Sequence, residues 1–172
     1  QILASRMAFV LKGATSRQPG LRMQAAMLAA RLGLQAAECD WPAAARDFLQ
    51  GAAIAPLLHD LPARELGPAL EFLWGQDAAA ARAALLGQLK HLHFAALQAA
   101  MELLLKNGAD EDCRQIYAEA CATHLVRQEM LLWILRNPQR AEEWDLPTPT
   151  ALAPLALEEL EQDYMGDRLK TQ

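Results

Sequence analysis

The sequence predicts an all-α protein, and three features carry that prediction. About a fifth of the residues are Ala, with Leu, Gln, Glu and Arg prominent among the rest, and all of these lose little side-chain freedom in a helix. The β-branched residues that favour strands amount to two Val, four Ile and five Thr, too few to build a sheet. Helix start and stop signals recur along the chain, with apolar residues at three- and four-residue steps between them. The expected architecture is a set of antiparallel helix hairpins stacked as a short irregular α-solenoid or helical bundle, about seven to nine helices in all.

At 172 residues the chain is long enough for one domain spanning 1–172. A globular chain of this size buries roughly 70% of its unfolded surface, so neither disulfides nor metal are needed for stability. It opens on Gln1 without an initiator methionine, and the expectation is a part of a longer protein.

The elements follow in order. Ile2–Lys12 reads as a helix stopped by Gly13, and residues 14–19 as a loop. Gly20–Glu38 carries Met23, Met27, Ala30 and Leu34 at helical spacing. Asp40 is expected to cap a third helix that runs through Ala53, with Trp41 and Pro42 in its first turn. Asp60 and Pro62 signal the start of a helix ending near Gly75. Asp77 opens an Ala/Leu run that reaches Lys106 and is stopped by Asn107-Gly108, and a break near Leu89–His91 suits the pattern. Asp110 is expected to cap one long amphipathic helix, with Cys113, Ile116, Tyr117, Ala120, His124, Gln128, Leu131 and Leu135 on one face, ended by Asn137-Pro138. Residues 140–144 form a helical turn in this reading. The stretch 145–172 comprises an extended linker over 145–150, whose prolines push the preceding residues out of the α region, and a C-terminal capping helix over Ala151–Asp163.

Asp40, Asp77 and Asp110 lie 37 and 33 residues apart. After each of them small residues pair seven apart: Ala45 with Ala52, Ala80 with Gly87, Cys113 with Ala120. Such pairs lie on one helix stripe and let a neighbouring helix approach closely. With Leu32-Gly33, Asp40, Ala45, Leu49 and Ala52 in its best copy, this arrangement resembles the tetratricopeptide repeat, over copies at 26–57, 61–92 and 94–125. The family's first-helix aromatic is replaced by Ala36, Glu71 and Leu104, and Pro56 lies one position early for its closing Pro. Locally, His91-Leu-His-Phe-Ala-Ala96 and Leu103-Leu-Leu-Lys-Asn-Gly-Ala-Asp110 look like the two helices of a single ankyrin repeat, with a segment between them three residues too short. The tetratricopeptide resemblance implies a concave groove lined by Glu65, Phe72, Gln98, Glu102 and Lys106, in which a peptide or partner helix would lie.

Composition and charge exclude several functions. The net charge is -5, Lys is confined to four positions, and no basic stripe is present to neutralise phosphates, which argues against nucleic-acid binding. No eighteen apolar residues run together, so no membrane insertion is expected, and the opening segment lacks the form of a signal peptide. Cys39, Cys113 and Cys121 share no CxxC spacing and read as packing residues in a reducing, cytoplasmic compartment.

The candidates for chemistry are sparse. His91 and His93, two apart on a helix, would point away from each other, while Cys121 and His124 would share a face with Cys113 two turns earlier. That trio is the basis of a lesser alternative, a helical metal-binding or enzymatic domain, but it lacks a fourth ligand. Glu65 with Glu71, and Glu111 with Asp112, read as helix-surface acids, and the two Ser offer no nucleophile motif. Trp41, Trp74, Trp133 and Trp144 are read first as packing residues, with Trp133 in the core; Trp74 and Trp144 sit at helix ends where a ring can meet a partner.

The function expected is therefore a non-enzymatic protein–protein interaction module, an adaptor, scaffold or chaperone-like domain of a bacterial cytoplasmic protein, binding another protein or peptide without a cofactor or metal. A regulatory or dimerisation domain, working as a homodimer, is the alternative.

Overall fold

Why the chain turns where it does is visible in a computed structural model that describes residues 10, 12–13, 16–33 and 47–143. Asp40, Trp41, Pro42, Ala45, Cys39, Trp144, most of the Ile2–Lys12 helix and the whole of 145–172 lie outside the described residues. Among the described residues the regular elements are all helical: α1 (Pro19–Arg31), α2 (Ile54–Asp60), α3 (Ala63–Gln76), α4 (Ala78–Gln88), a 3-10 turn (Leu89–His91), α5 (Phe94–Asn107), α6 (Asp110–Ala122), α7 (His124–Arg136) and α8 (Pro138–Glu143). No described helix is long and apolar enough to cross a membrane. Contacts divide the chain into two compact units, residues 1–104 and 105–172, each described by itself.

In the first unit, α1 starts with Pro19, where a missing N–H costs nothing, and its neighbour Gln18 supplies no side-chain cap. The cap comes from 40 residues away: Gly20 N–H donates to the Asp60 carboxylate at 2.7 Å. A Cβ there would stand 2.8 Å from that carboxylate oxygen and 3.3 Å from the Asp60 carbonyl, so glycine lets the carboxylate approach without being displaced. Asp60 is thus the last residue of α2 and caps α1, and it does not start the following helix as expected; α2 itself is an element the sequence reading did not separate.

Two glycines in the left-handed region correct other boundaries. Gly33, at φ 60, ends α1 at Arg31, so the helix does not continue to Glu38, and Leu32-Gly33 lies in a turn. Gly51, at φ 56, sits in a run of turns over 48–53 where a third helix was expected, leaving Ala52 exposed. Gly13, expected as a helix stop, is instead helical and buried. A Cβ on it would lie 2.7 Å from the Ala25 Cβ, so its role is close approach to α1.

Around that contact Val10, Ala25, Ala26 and Ala29 form a cluster of small buried side chains, with Leu28 and the Phe72 ring packed against it. Further packing joins α1 to α2 and α3, α3 to α4, and α2 to α4. Asp77 caps α4 as expected, accepting the Ala80 N–H at 2.9 Å. The break expected near Leu89–His91 is present, held by buried Leu89 and Leu92. The Ala80–Gly87 stripe is not the packed one: Ala80 is half-exposed, Gly87 faces open space, and the buried face is Ala81, Ala84 and Leu85. A one-residue offset turns a helix face by about 100°, and in an Ala run only packing selects the face. Residues 94–107 form one continuous helix where the ankyrin-like reading requires two.

In the second unit, Asp110 does not cap α6 but is its first helical residue. Asp112 reaches back to accept the Ala109 N–H at 2.9 Å, and it is 1% exposed, which corrects its reading as a surface acid. The long amphipathic helix is in fact two, because Thr123 is extended at φ -119, ψ 119. The break resets the helical phase. Cys113, Ile116 and Ala120 are buried on α6 as expected, but on α7 the buried set is Val126, Arg127, Met130 and Ile134, with Gln128 and Leu135 exposed. Buried Arg127 donates to the Ala120 and Cys121 carbonyls, both at 3.0 Å, placing a cation on the negative end of α6. Arg140 donates to the Leu105 carbonyl at 3.1 Å and ties α8 to the end of α5.

Replacing Asp60 with Ala removes the side-chain acceptor of the Gly20 N–H at the start of α1. The expected cost is about 1 kcal/mol in urea unfolding, with Asp60→Asn retaining most of the stability.

Candidate functional site

One place in the first unit combines exposed rings with a strained backbone. His59, on the last turn of α2, stacks on His93, in the connection between the 3-10 turn and α5, with ring centroids 5.0 Å apart and planes 11° from parallel. The residues on either side of His93 behave oppositely. Leu92 is buried and donates its N–H to the Leu89 carbonyl, which pins the connection to the core. Phe94 begins α5 at φ 47 with its ring 79% exposed. A left-handed backbone costs a bulky L-residue about 1–2 kcal/mol, and here burial of the ring returns nothing against it. Strain held at an exposed aromatic is a pointer to function.

Electrostatics adds to the pair. The His59 imidazole is held below the ordinary histidine range, first by its partial burial and then by the charge of His93. The geometry is not that of a metal clamp: imidazole lone pairs lie in the ring planes, and near-parallel rings do not aim them at one point. Among the described residues no group of three or more His, Cys, Asp or Glu is placed to hold an ion. His91 and His93, expected on one helix, lie at the end of the 3-10 turn and in the connection after it, and the ring that meets His93 is 34 residues back. No local signal pairs His59 with His93.

The expected groove residues are distributed as follows. Gln98, Glu102 and Lys106 are exposed on α5 at four-residue steps, and Gln98 Nε2 donates to Glu102 Oε1 at 3.3 Å. Phe94 stands one step earlier on the same stripe. Glu65 is half-buried and paired locally with Arg64 at 3.5 Å. Phe72 is half-buried against the Val10/Ala25/Ala26/Ala29 cluster, so its ring serves to pack α3 on α1. Trp74 and Trp133 are each half-buried, Trp133 therefore less enclosed than expected, while Leu132 and Leu135 are exposed on α7.

The Cys113, Cys121 and His124 trio does not assemble on one face. Thr123 separates Cys121 on α6 from His124 on α7, Cys113 is buried and Cys121 is exposed. Burial, helped by the nearby charges of Asp110 and Asp112, pushes the Cys113 thiol up to about 12. That is the environment of an inert packing thiol. No family model, curated protein or solved structure matches the chain.

Two outcomes test this description. Phe94→Gly relieves the left-handed backbone at the expense of glycine's larger chain entropy, so it should raise unfolding free energy by about 0.5–1 kcal/mol. Maleimide labelling of the folded protein near neutral pH should be unaffected by Cys113→Ser and reduced by Cys121→Ser, with Cys113 reacting only on unfolding.

Proposed function

We propose that this chain is a protein-interaction module that presents Phe94 and the α5 stripe behind it to another protein or peptide. The observation that carries the reading is the Phe94 ring, 79% exposed on a backbone at φ 47. A large aromatic on a rigid, preset backbone loses little entropy on burial in a partner's pocket, which is why such residues dominate binding energy. Gln98 and Glu102, tied to each other, and Lys106 one turn on supply a polar border to that anchor. The thiols of Cys113 and Cys121 are both free, which favours the cytoplasm as the place of action.

The reading has no part for a catalytic group or cofactor. Its partner would carry an apolar pocket for one aromatic ring, rimmed by groups that pair with an amide, a carboxylate and an ammonium.

Capture from a lysate of the source organism on immobilised protein tests it. A partner retained by the wild-type chain should bind Phe94→Ala at least tenfold more weakly, and Glu102→Ala with Lys106→Ala several-fold more weakly, with thermal unfolding unchanged in both. Equal retention by the wild type and Phe94→Ala would refute the assignment.

A further inference from the structure

We infer that the His59–His93 stack is a pH-operated clasp, which holds the connection into α5 against the end of α2 while at most one ring is charged and releases it when both are protonated. The two rings come from separate parts of the first unit and touch face to face at 5.0 Å. A neutral ring stacks on a neutral or a cationic one, but two imidazolium rings at that distance repel, with solvent on their exposed edges ready to receive them.

Among the described residues neither His59 nor His93 forms an ion pair with a carboxylate. Among the described residues, the charged groups on the helices packed against α2 are Arg22 and Arg31 on α1 and Arg82 on α4; Asp60 is beside His59 in the chain, Arg64, Glu65 and Glu71 lie on α3 after it, and Lys90 and His91 precede His93 on the 3-10 turn. The Asp60 carboxylate accepts from the Gly20 N–H, and Arg22 lies over the Phe48 ring, 5.2 Å from its centroid. Partial burial first, and then the charge of His93, disfavour the protonated form of His59.

The released segment has reason to move. Phe94 follows His93 directly and is held at φ 47, so a connection freed from the stack relaxes toward the ordinary right-handed start of a helix. Leu92, still buried, limits the change to the residues after it. The sign follows from the direction of the His59 shift. A histidine held low in the folded state contributes stability that is complete above the ordinary value of about 6.5 and is lost as pH falls through the lowered one. Opening therefore occurs on acidification, and it needs no partner.

Hydrogen exchange followed residue by residue reads the clasp. The Ala96 and Leu97 amides donate to the His93 carbonyl at 3.2 and 3.4 Å and report on the α5 start. Between about pH 7.5 and about pH 5, after correction for intrinsic chemistry, their protection should fall at least tenfold in the wild type, while amides in the middle of α3 stay protected. His93→Phe keeps a stacking ring without a charge and should abolish that pH dependence; His59→Phe provides the same test from the other side. Protection that is independent of pH in the wild type, a fall of equal size in both Phe variants, or loss of protection in α3 together with α5 would each overturn the clasp.

Discussion

The hydrogen bond from the Gly20 N–H to the Asp60 carboxylate sets the position of most of what matters in the first unit. A helix start leaves unpaired donors, and Pro19 and Gln18 provide no side-chain acceptor for those of α1. Meeting that need from 40 residues away brings the end of α2 onto the start of α1. The absence of a Cβ at Gly20 is what permits the approach. His59 immediately precedes Asp60 at that docked helix end, and its ring stacks on His93.

From that stack the chain passes directly into Phe94, and two different constraints meet there. Leu89 and Leu92 bury themselves and fix where the 3-10 turn ends, whereas α5 must leave in a direction set by its own buried face of Ala96, Leu97, Ala100, Met101 and Leu104. One residue absorbs the change in direction, and it is an aromatic in place of a glycine. A glycine would serve the backbone better, and the ring gains little from burial, since Phe94 is 79% exposed. In the second unit the buried side chains of Asp112 and Arg127 serve helix ends, pairing backbone groups that the helix itself leaves unpaired.

Much of the fold was legible because helix signals are local. The Asp77 cap, the break near Leu89–His91, the stops at Asn107 and Asn137 and the buried Cys113 and Ala120 all rest on residues within a turn of one another. The misplaced elements share a different cause. Gly33 and Gly51 take left-handed backbone that a glycine permits but does not demand, Gly13 is chosen for a neighbour and not for a turn, and Thr123 breaks a helix that its apolar spacing would have continued. Of the candidate site, Gln98, Glu102 and Lys106 could be assigned to one exposed stripe from their spacing, while Phe94 at its head could not, since nothing in the text of the chain announces a positive φ at a phenylalanine.

What the sequence determined by itself is the class of structure: an Ala- and Leu-rich chain, poor in β-branched residues, becomes helices, because that preference is a property of each residue and its near neighbours. What only the tertiary structure decided is which distant groups meet. Asp60 reaching Gly20, His59 lying on His93 and Gly13 against Ala25 are contacts between segments whose spacing carries no period and no motif, and they arise from the burial of whole faces at once.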